Sequence, residues 1–201
     1  MRRIDFFIFR HGQTDKNVQG VWQGSGINAL LNAKGEEQVI ELANKSLTFG
    51  LTKIYCSPLL RAVQTANAIA KHNSNIPITI LQDLRECHFG KCEGLTFDES
   101  YAMYGDDFIH DILFPNTDNW DNHFPEGESK HEVFLRVEHC LKTIIWNLPD
   151  GETHHIGIVC HAGVISALQC GLNLKDVSYD NCSTLHLSYD KDTQEWTQIF
   201  D

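Results

Sequence analysis

Short apolar, β-branched or aromatic runs alternate with helix-period segments along the 201 residues of this chain. That alternation restricts it to an α/β sandwich built on a largely parallel sheet. Residues 4–9 (IDFFIF) read as a buried strand ended by polar residues and Gly12. The segment 33–47 follows, with Val39, Leu42, Ala43 and Leu47 spaced to line one helix face. Residues 53–56 (KIYC) form a second strand. It runs into Ser57-Pro58, where Ser suits a helix cap and Pro a first turn, and the helix carries Leu59, Val63, Ala66 and Ile69 to about Lys71. Residues 77–81 (PITIL) give a third strand, 129–146 a long helix, 155–160 (HIGIVC) a fourth strand, and 164–168 the opening of another helix. Segments 182–187 and 196–200 close the sheet. The expected architecture is a three-layer α/β/α sandwich in one domain, 1–201. An irregular or helical insertion at about 95–128, rich in Asn, Asp, Pro and aromatic residues, is expected over the carboxyl ends of the strands.

The net charge of −11 argues against a nucleic-acid surface, which needs many phosphate-neutralising Lys and Arg. An anion site on this chain has to be a small, focused pocket. Seven scattered cysteines with no CxxC pair offer neither a zinc ribbon nor a disulfide framework, and they fit a reducing cytoplasm. The Met1-Arg2-Arg3 start gives way at once to Asp5, too little for a signal-peptide core, and no apolar run approaches a membrane span. Oligomeric state is not legible.

Unusual polar residues collect where the strands end. Arg10-His11-Gly12 follows the first strand, Ser57 to Arg61 the second, Glu86 the third after a short gap, and His161-Ala162-Gly163 the fourth. Ligands of open α/β sheets bind outside the carboxyl strand ends, so two His, two Arg and one Glu are delivered to one edge. Singly, each has a bland reading as a turn residue or surface charge; jointly the bland reading must be invoked five times. Two guanidiniums match phosphate oxygens bidentately and stay charged. Histidines beside them are held neutral, as a His nucleophile must be. Gly12 and Gly163 are expected to let backbone approach the anion, and a helix N-terminus near Ala162 or Gly163 to offer N–H groups. Glu86 supplies the proton a leaving alkoxide needs.

Arg10-His11-Gly12-Gln13-Thr14 with Asn17 resembles the RHG motif of the histidine phosphatase superfamily, also called phosphoglycerate-mutase-like. Residues 57–66 (SPLLRAVQTA) resemble its SPLxRAxQTA block, and Glu86, Gly90 and Glu93-Gly94 its LxExxxGxxEG block. Gly127-Glu128-Ser129 with Arg136 resembles its GES block, and residues 160–163 (CHAG) its VSHAG block. The five blocks run in order through essentially the whole chain. The resemblance implies that His11 is phosphorylated, that Arg10, Arg61 and His161 bind the phosphoryl oxygens with Asn17 as a further donor, and that Glu86 gives the proton. It implies a place near substrate for Gln23 and Gly24, and no metal or cofactor. Two departures stand out: Gln13 replaces a common Glu, and Asn28 stands where an Asp is usual.

The implied activity is metal-independent hydrolysis of a small-molecule phosphate monoester. The first rival is mutase-type phosphoryl transfer; mutases of this family tend to be longer and to carry ERHYG where this chain has ECHFG at 86–90. A non-catalytic phosphate or phosphoprotein binder should have lost one of His11, Arg61, Glu86 or His161, and all four are present. A metal site on His11, His88 and His161 lacks paired-ligand spacing and would sit beside repelling arginines. Cys87 and Cys92 read as packing. Specificity is expected from the insertion, where Tyr101, Tyr104, Phe108, His110, Phe114, Trp120 and His123 either line a pocket or, for the most part, pack.

Overall fold

The computed structural model describes residues 3–150 and 153–200; Met1 and Arg2 of the basic start lie outside the described residues. Among the described residues six strands form one sheet in the order β3-β2-β4-β1-β5-β6. They are β1 (Arg3–Arg10), β2 (Lys53–Cys56), β3 (Ile78–Ile80), β4 (His154–Cys160), β5 (Thr184–Asp190) and β6 (Glu195–Ile199). The first four run parallel, while β5 and β6 are antiparallel additions at one side. The helices are α1 (Asp15–Val18), α2 (Ala33–Ser46), α3 (Leu60–His72), α4 (Phe97–Tyr104), α5 (Asp106–Leu113), α6 (Lys130–Asn147) and α7 (Ala162–Gly171).

The three layers follow from the two-residue period of the strands. On β1, Phe7 and Phe9 face α2 and α3 and pack with Leu42, Ala43, Ala62, Ala66 and Ile69. Ile4, Phe6 and Ile8 face the other way, onto Val133, Val137 and Leu141 of α6 and Val164 and Leu168 of α7. Phe6 and Phe9 are fully buried, so truncating either to Ala would cost about 3–5 kcal/mol.

Register decides which strand ends meet. Arg10 pairs with Cys160 across β1 and β4, so His11 and His161 emerge side by side. Cys56 pairs with Val159 across β2 and β4, which brings Ser57 to the same place. Phe9 pairs with Thr184 across β1 and β5. The chain entering β5 therefore crosses the Arg10-His11 turn, with hydrogen bonds from the Arg10 amide to Ser183 O and from the Cys182 amide to His11 O.

Two local expectations change. Helix α3 starts at Leu60 with Leu59 at the cap position, so Ser57 does not cap it and Pro58 precedes its first turn. The Leu60 amide is satisfied instead by Asn28 Oδ1 at 2.7 Å, which gives the departure at position 28 a structural use. The insertion is more regular than its Asn, Asp and Pro content suggests. Thr96 and Glu99 form a capping box that starts α4, and Gly105 separates α4 from α5. Phe124 anchors the segment among Trp22, Tyr104 and Phe108, with ring centroids 5.2 to 5.6 Å away. Trp120 stacks on His131 at 4.1 Å.

Candidate active site

A cavity of about 200 Å³ opens at the carboxyl ends of the parallel strands. Arg10, His11, Asn17, Gln23, Gly24, Arg61 and Glu86 line it, together with Ala162 and Gly163 at the start of α7.

His11 is buried, and its Nδ1 lies 2.7 Å from Gly12 O. A carbonyl only accepts, so Nδ1 carries the proton and Nε2 presents its lone pair. Arg61 Nε donates to that lone pair at 3.2 Å. Burial, and after it the Arg61 and Arg10 charges, hold the His11 imidazole well below its ordinary range, so it is neutral at physiological pH. Cations were expected to cause this depression; desolvation is the larger cause. His161 is depressed in the same way, first by burial and then by Arg61.

Arg61 is 1% exposed, with the guanidinium fixed by three groups: His11 Nε2, Ile27 O at 2.8 Å and Gly24 O at 2.9 Å. Burial pulls it to about 10, against the pull of Glu86, so it remains cationic. Of its five N–H groups two are uncommitted. Arg10 Nη1 donates to Tyr179 O, and its Nε is buried without a partner among the described residues. Burial lowers Arg10 too, with Glu86 and Asp180 opposing.

His161 Nε2 lies 2.6 Å from Ser57 Oγ, and its Nδ1 is buried without a partner among the described residues. The Leu59 amide donates to Ser57 Oγ at 3.3 Å, so the hydroxyl proton is free to go to Nε2. That sets the tautomer with a hydrogen on Nδ1. The His11 and His161 ring centroids are 5.2 Å apart. Two buried donors, Arg10 Nε and His161 Nδ1–H, are thus unsatisfied beside the His11 lone pair. Buried donors without partners are costly in a folded protein unless a ligand completes them.

Glu86 is buried, with Oε1 accepting from the Cys87 amide at 2.8 Å and Oε2 from the Gly163 amide at 3.3 Å. Both glycines expected to admit an anion also make room for other parts of the protein. A Cβ at Gly163 would sit 2.3 Å from Glu86 Oε1, so this glycine makes room for the carboxylate. A Cβ at Gly12 would strike Gly35 O and Val39 at 2.8 Å, so that glycine serves the packing of α2. The α7 N–H groups are likewise turned in part to Glu86.

The GES block fixes Glu86 from behind. Arg136 holds Glu128 bidentately, at 3.0 and 3.1 Å, and donates to the carbonyls of Asp83, Arg85 and Glu86. Glu128 also receives Arg85 Nη2 and the His88 amide, both at 2.9 Å. Burial raises Glu128, but Arg136 and these partners outweigh it and hold it below the usual carboxylate range.

Asn17 Oδ1 accepts from the Thr14 amide and from Asn181 Nδ2, leaving its own Nδ2 as the group available to a ligand. Gln23 Oε1 accepts from Thr14 Oγ1 at 3.1 Å, which likewise leaves Nε2. Gly24 lines the cavity, but its carbonyl is turned to Arg61. Of the insertion's residues Phe97, Leu113 and Phe114 reach the cavity, whereas Tyr101, Tyr104, Phe108 and Trp120 pack against the core. His110 lies against Phe114, and His123 Nδ1 donates to Phe124 O. His88 turns its Nδ1 to the Gly90 amide. Among the described residues no group of three or more His, Cys, Asp or Glu is arranged to hold a metal ion, and no helix is long and apolar enough to cross a membrane. All seven cysteines are free; burial pushes the Cys87 thiol up to about 12 and the Cys92 thiol to about 11.

Ser57, Tyr179, Asn181 and Lys130 also belong to the site and were not singled out as ligand-facing from sequence. The Ser57-Pro58 pair has a ready reading as a helix start, which hides its contact with His161. Tyr179 and Asn181 arrive through the antiparallel return of β5, for which no local motif exists.

A pair of neutral buried histidines framed by two arginines and one carboxylate defines a class: proteins that receive a phosphoryl or similar oxyanion. The profile of the histidine phosphatase superfamily (branch 1) matches residues 6–201, and this chain belongs to that family. Agropine synthesis reductase of Rhizobium rhizogenes is 31% identical over 96% of this chain, which spans only 41% of that longer protein. A broad-specificity phosphatase of Saccharomyces cerevisiae is 26% identical over 96% of this chain and 83% of its own length. Among solved structures, a mycobacterial glucosyl-3-phosphoglycerate phosphatase in complex with VO3 superposes with a TM-score of 0.85 at 25% identity, covering 100% of this chain and 99% of that one.

Proposed function

We propose that this chain is a metal-independent phosphoric monoester hydrolase of the histidine acid type, acting on a small-molecule substrate in the cytoplasm. The observation that carries the reading is the pair of unsatisfied buried donors, Arg10 Nε and His161 Nδ1, beside the lone pair of neutral His11.

In the first step His11 Nε2 forms a bond to phosphorus as the ester P–O bond breaks. The electron pair of that bond goes to the leaving oxygen, which takes its proton from Glu86. Arg61 Nε–H moves from the His11 lone pair onto an incoming phosphoryl oxygen. Arg10, His161 and Asn17 Nδ2 take the others, and Gln23 Nε2 faces the rest of the substrate, with Gly24 bounding that side. In the second step a water attacks phosphorus and gives its proton to the Glu86 carboxylate, while the P–N electrons return to Nε2. Positioning and fixed charge supply most of the rate in such loose transition states.

Three assays test this. His11→Ala should abolish turnover. Glu86→Gln should slow alkyl phosphates far more than para-nitrophenyl phosphate, whose leaving group needs little protonation. Turnover should persist in chelator. A His11→Ala enzyme with wild-type rate, or a Glu86→Gln loss equal for all leaving groups, contradicts the assignment.

A further inference from the structure

Lys130 is the first residue of α6 and is 5% exposed, yet it lines the cavity. Its ammonium lies 5.0 Å from the centre of the Phe89 ring, and among the described residues it makes no hydrogen bond or ion pair. This placement is unfavourable twice over. Burying an unpaired charge costs solvation, and a cation at a helix N-terminus opposes the helix dipole. The neighbouring carboxylate does not compensate, because Glu128 is engaged by Arg136, Arg85 and the His88 amide. One aromatic face is a weak substitute for a counter-ion. A charge buried without a direct hydrogen-bond or ion-pair partner among the described residues points to a ligand.

The charges around the cavity agree. Among the described lining residues Arg10, Arg61 and Lys130 are the cations and Glu86 the carboxyl group, which in the proposed first step is the proton donor. A phosphate monoester dianion neutralises two of the three cations. One remains, in a cavity whose lining also includes the apolar side chains of Val21, Trp22, Phe97, Leu113 and Phe114.

Resting on the phosphatase reading, we propose that Lys130 is a specificity-determining residue. It binds a second anionic group, a carboxylate or a second phosphate, on the leaving alcohol of a compact substrate whose middle is apolar.

The test uses four aryl monoesters of similar size: phenyl phosphate, meta-carbamoylphenyl phosphate, meta-carboxyphenyl phosphate and resorcinol bisphosphate. For the wild-type enzyme kcat/KM should favour at least one anionic ester over the neutral carbamoyl ester by about tenfold or more, the scale of one charge-assisted hydrogen bond. Whichever anionic ester is preferred identifies carboxylate or phosphate. Lys130→Met should collapse that ratio toward one, chiefly through KM, and Lys130→Arg should preserve it. A wild-type ratio near one, or a Lys130→Met loss common to all four esters, overturns the Lys130 assignment while leaving hydrolysis intact. If Lys130→Met does not fold, the wild-type ratio and Lys130→Arg still decide. Failure of the wild-type enzyme to turn over any of the four, phenyl phosphate included, removes the hydrolase reading and this one with it.

Discussion

Ser57→Ala isolates the claim that a second-layer hydroxyl decides which nitrogen of His161 faces the phosphoryl group. Ser57 and His161 are both wholly buried and 2.6 Å apart, and water cannot readily replace the lost hydroxyl. Without it, His161 Nε2 becomes a buried acceptor with no donor. Ser57 then no longer fixes the tautomer, so the ring also populates the form with its hydrogen on Nε2 and a bare Nδ1 lone pair facing the phosphoryl site. The transition state loses one hydrogen bond to a charged acceptor, worth about 1.5–3 kcal/mol. At about 1.4 kcal/mol per decade this lowers kcat/KM by roughly 10- to 150-fold. The assay is steady-state hydrolysis of para-nitrophenyl phosphate, for which protonation by Glu86 matters least, with nitrogen NMR of the His161 ring as the direct readout. Vanadate affinity should fall in step with kcat/KM. A Ser57→Ala enzyme within about twofold of wild type, with the hydrogen still on Nδ1, would refute the reasoning.

Other expectations follow from the same geometry. Arg136→Met severs Glu128 and three backbone carbonyls around Glu86. Stability in urea should drop by about 3 kcal/mol, with a loss in kcat larger for alkyl than for nitrophenyl esters; a loss independent of leaving group contradicts the positioning role. Gly163→Ala places a Cβ 2.3 Å from Glu86 Oε1, so kcat on alkyl phosphates should fall by about 10- to 100-fold with the fold retained. His11 and His161 are held neutral in the folded state, whereas in the unfolded chain they protonate near their ordinary 6.5. The unfolded state then binds more protons below that pH, and stability falls as pH drops through 6.5 by up to about 1.4 kcal/mol per unit per histidine. Urea titrations at several pH values should show a shallower slope in His161→Asn. The acidic limb of kcat/KM assigned to His11 should lie below 6.5, since loss of its neutral form sets it. With 3-phosphoglycerate the enzyme should release inorganic phosphate, and added bisphosphoglycerate should not induce isomerisation; catalysed isomerisation would favour the mutase reading.

Much of this site was legible because a parallel sheet forces chemistry to the strand ends, and a strand end is visible as the point where an apolar run stops. Arg10, His11 and His161 lie just past such stops, and Glu86 follows one after a short gap. What stayed hidden depends on register and on the antiparallel return. Nothing local in residues 179–181 announces that the Tyr179 carbonyl will hold Arg10 or that Asn181 will reach Asn17. Gly12 and Gly163 were visible as glycines, but their purpose was not, because the atoms they spare, Gly35 O, Val39 and Glu86 Oε1, come from elsewhere in the chain. The capping box at Thr96 and Glu99 was readable, and the polar composition around it concealed it. Lys130 looks in sequence like an ordinary surface charge at the start of a long helix. Only the fold reveals that it is buried against Phe89 with no ion-pair partner among the described residues.

The central claim is that the neutral His11 imidazole takes the phosphoryl group itself. Rapid quenching during turnover of a labelled aryl phosphate, into alkali that preserves phosphohistidine, followed by peptide mass spectrometry, tests it directly. The account predicts one phosphoryl group on Nε2 of His11 in the wild-type enzyme, accumulating further in Glu86→Gln with an activated ester and absent in His11→Ala. Steady turnover with no phosphorylated peptide under conditions that trap the intermediate, or label on a residue other than His11, would contradict it.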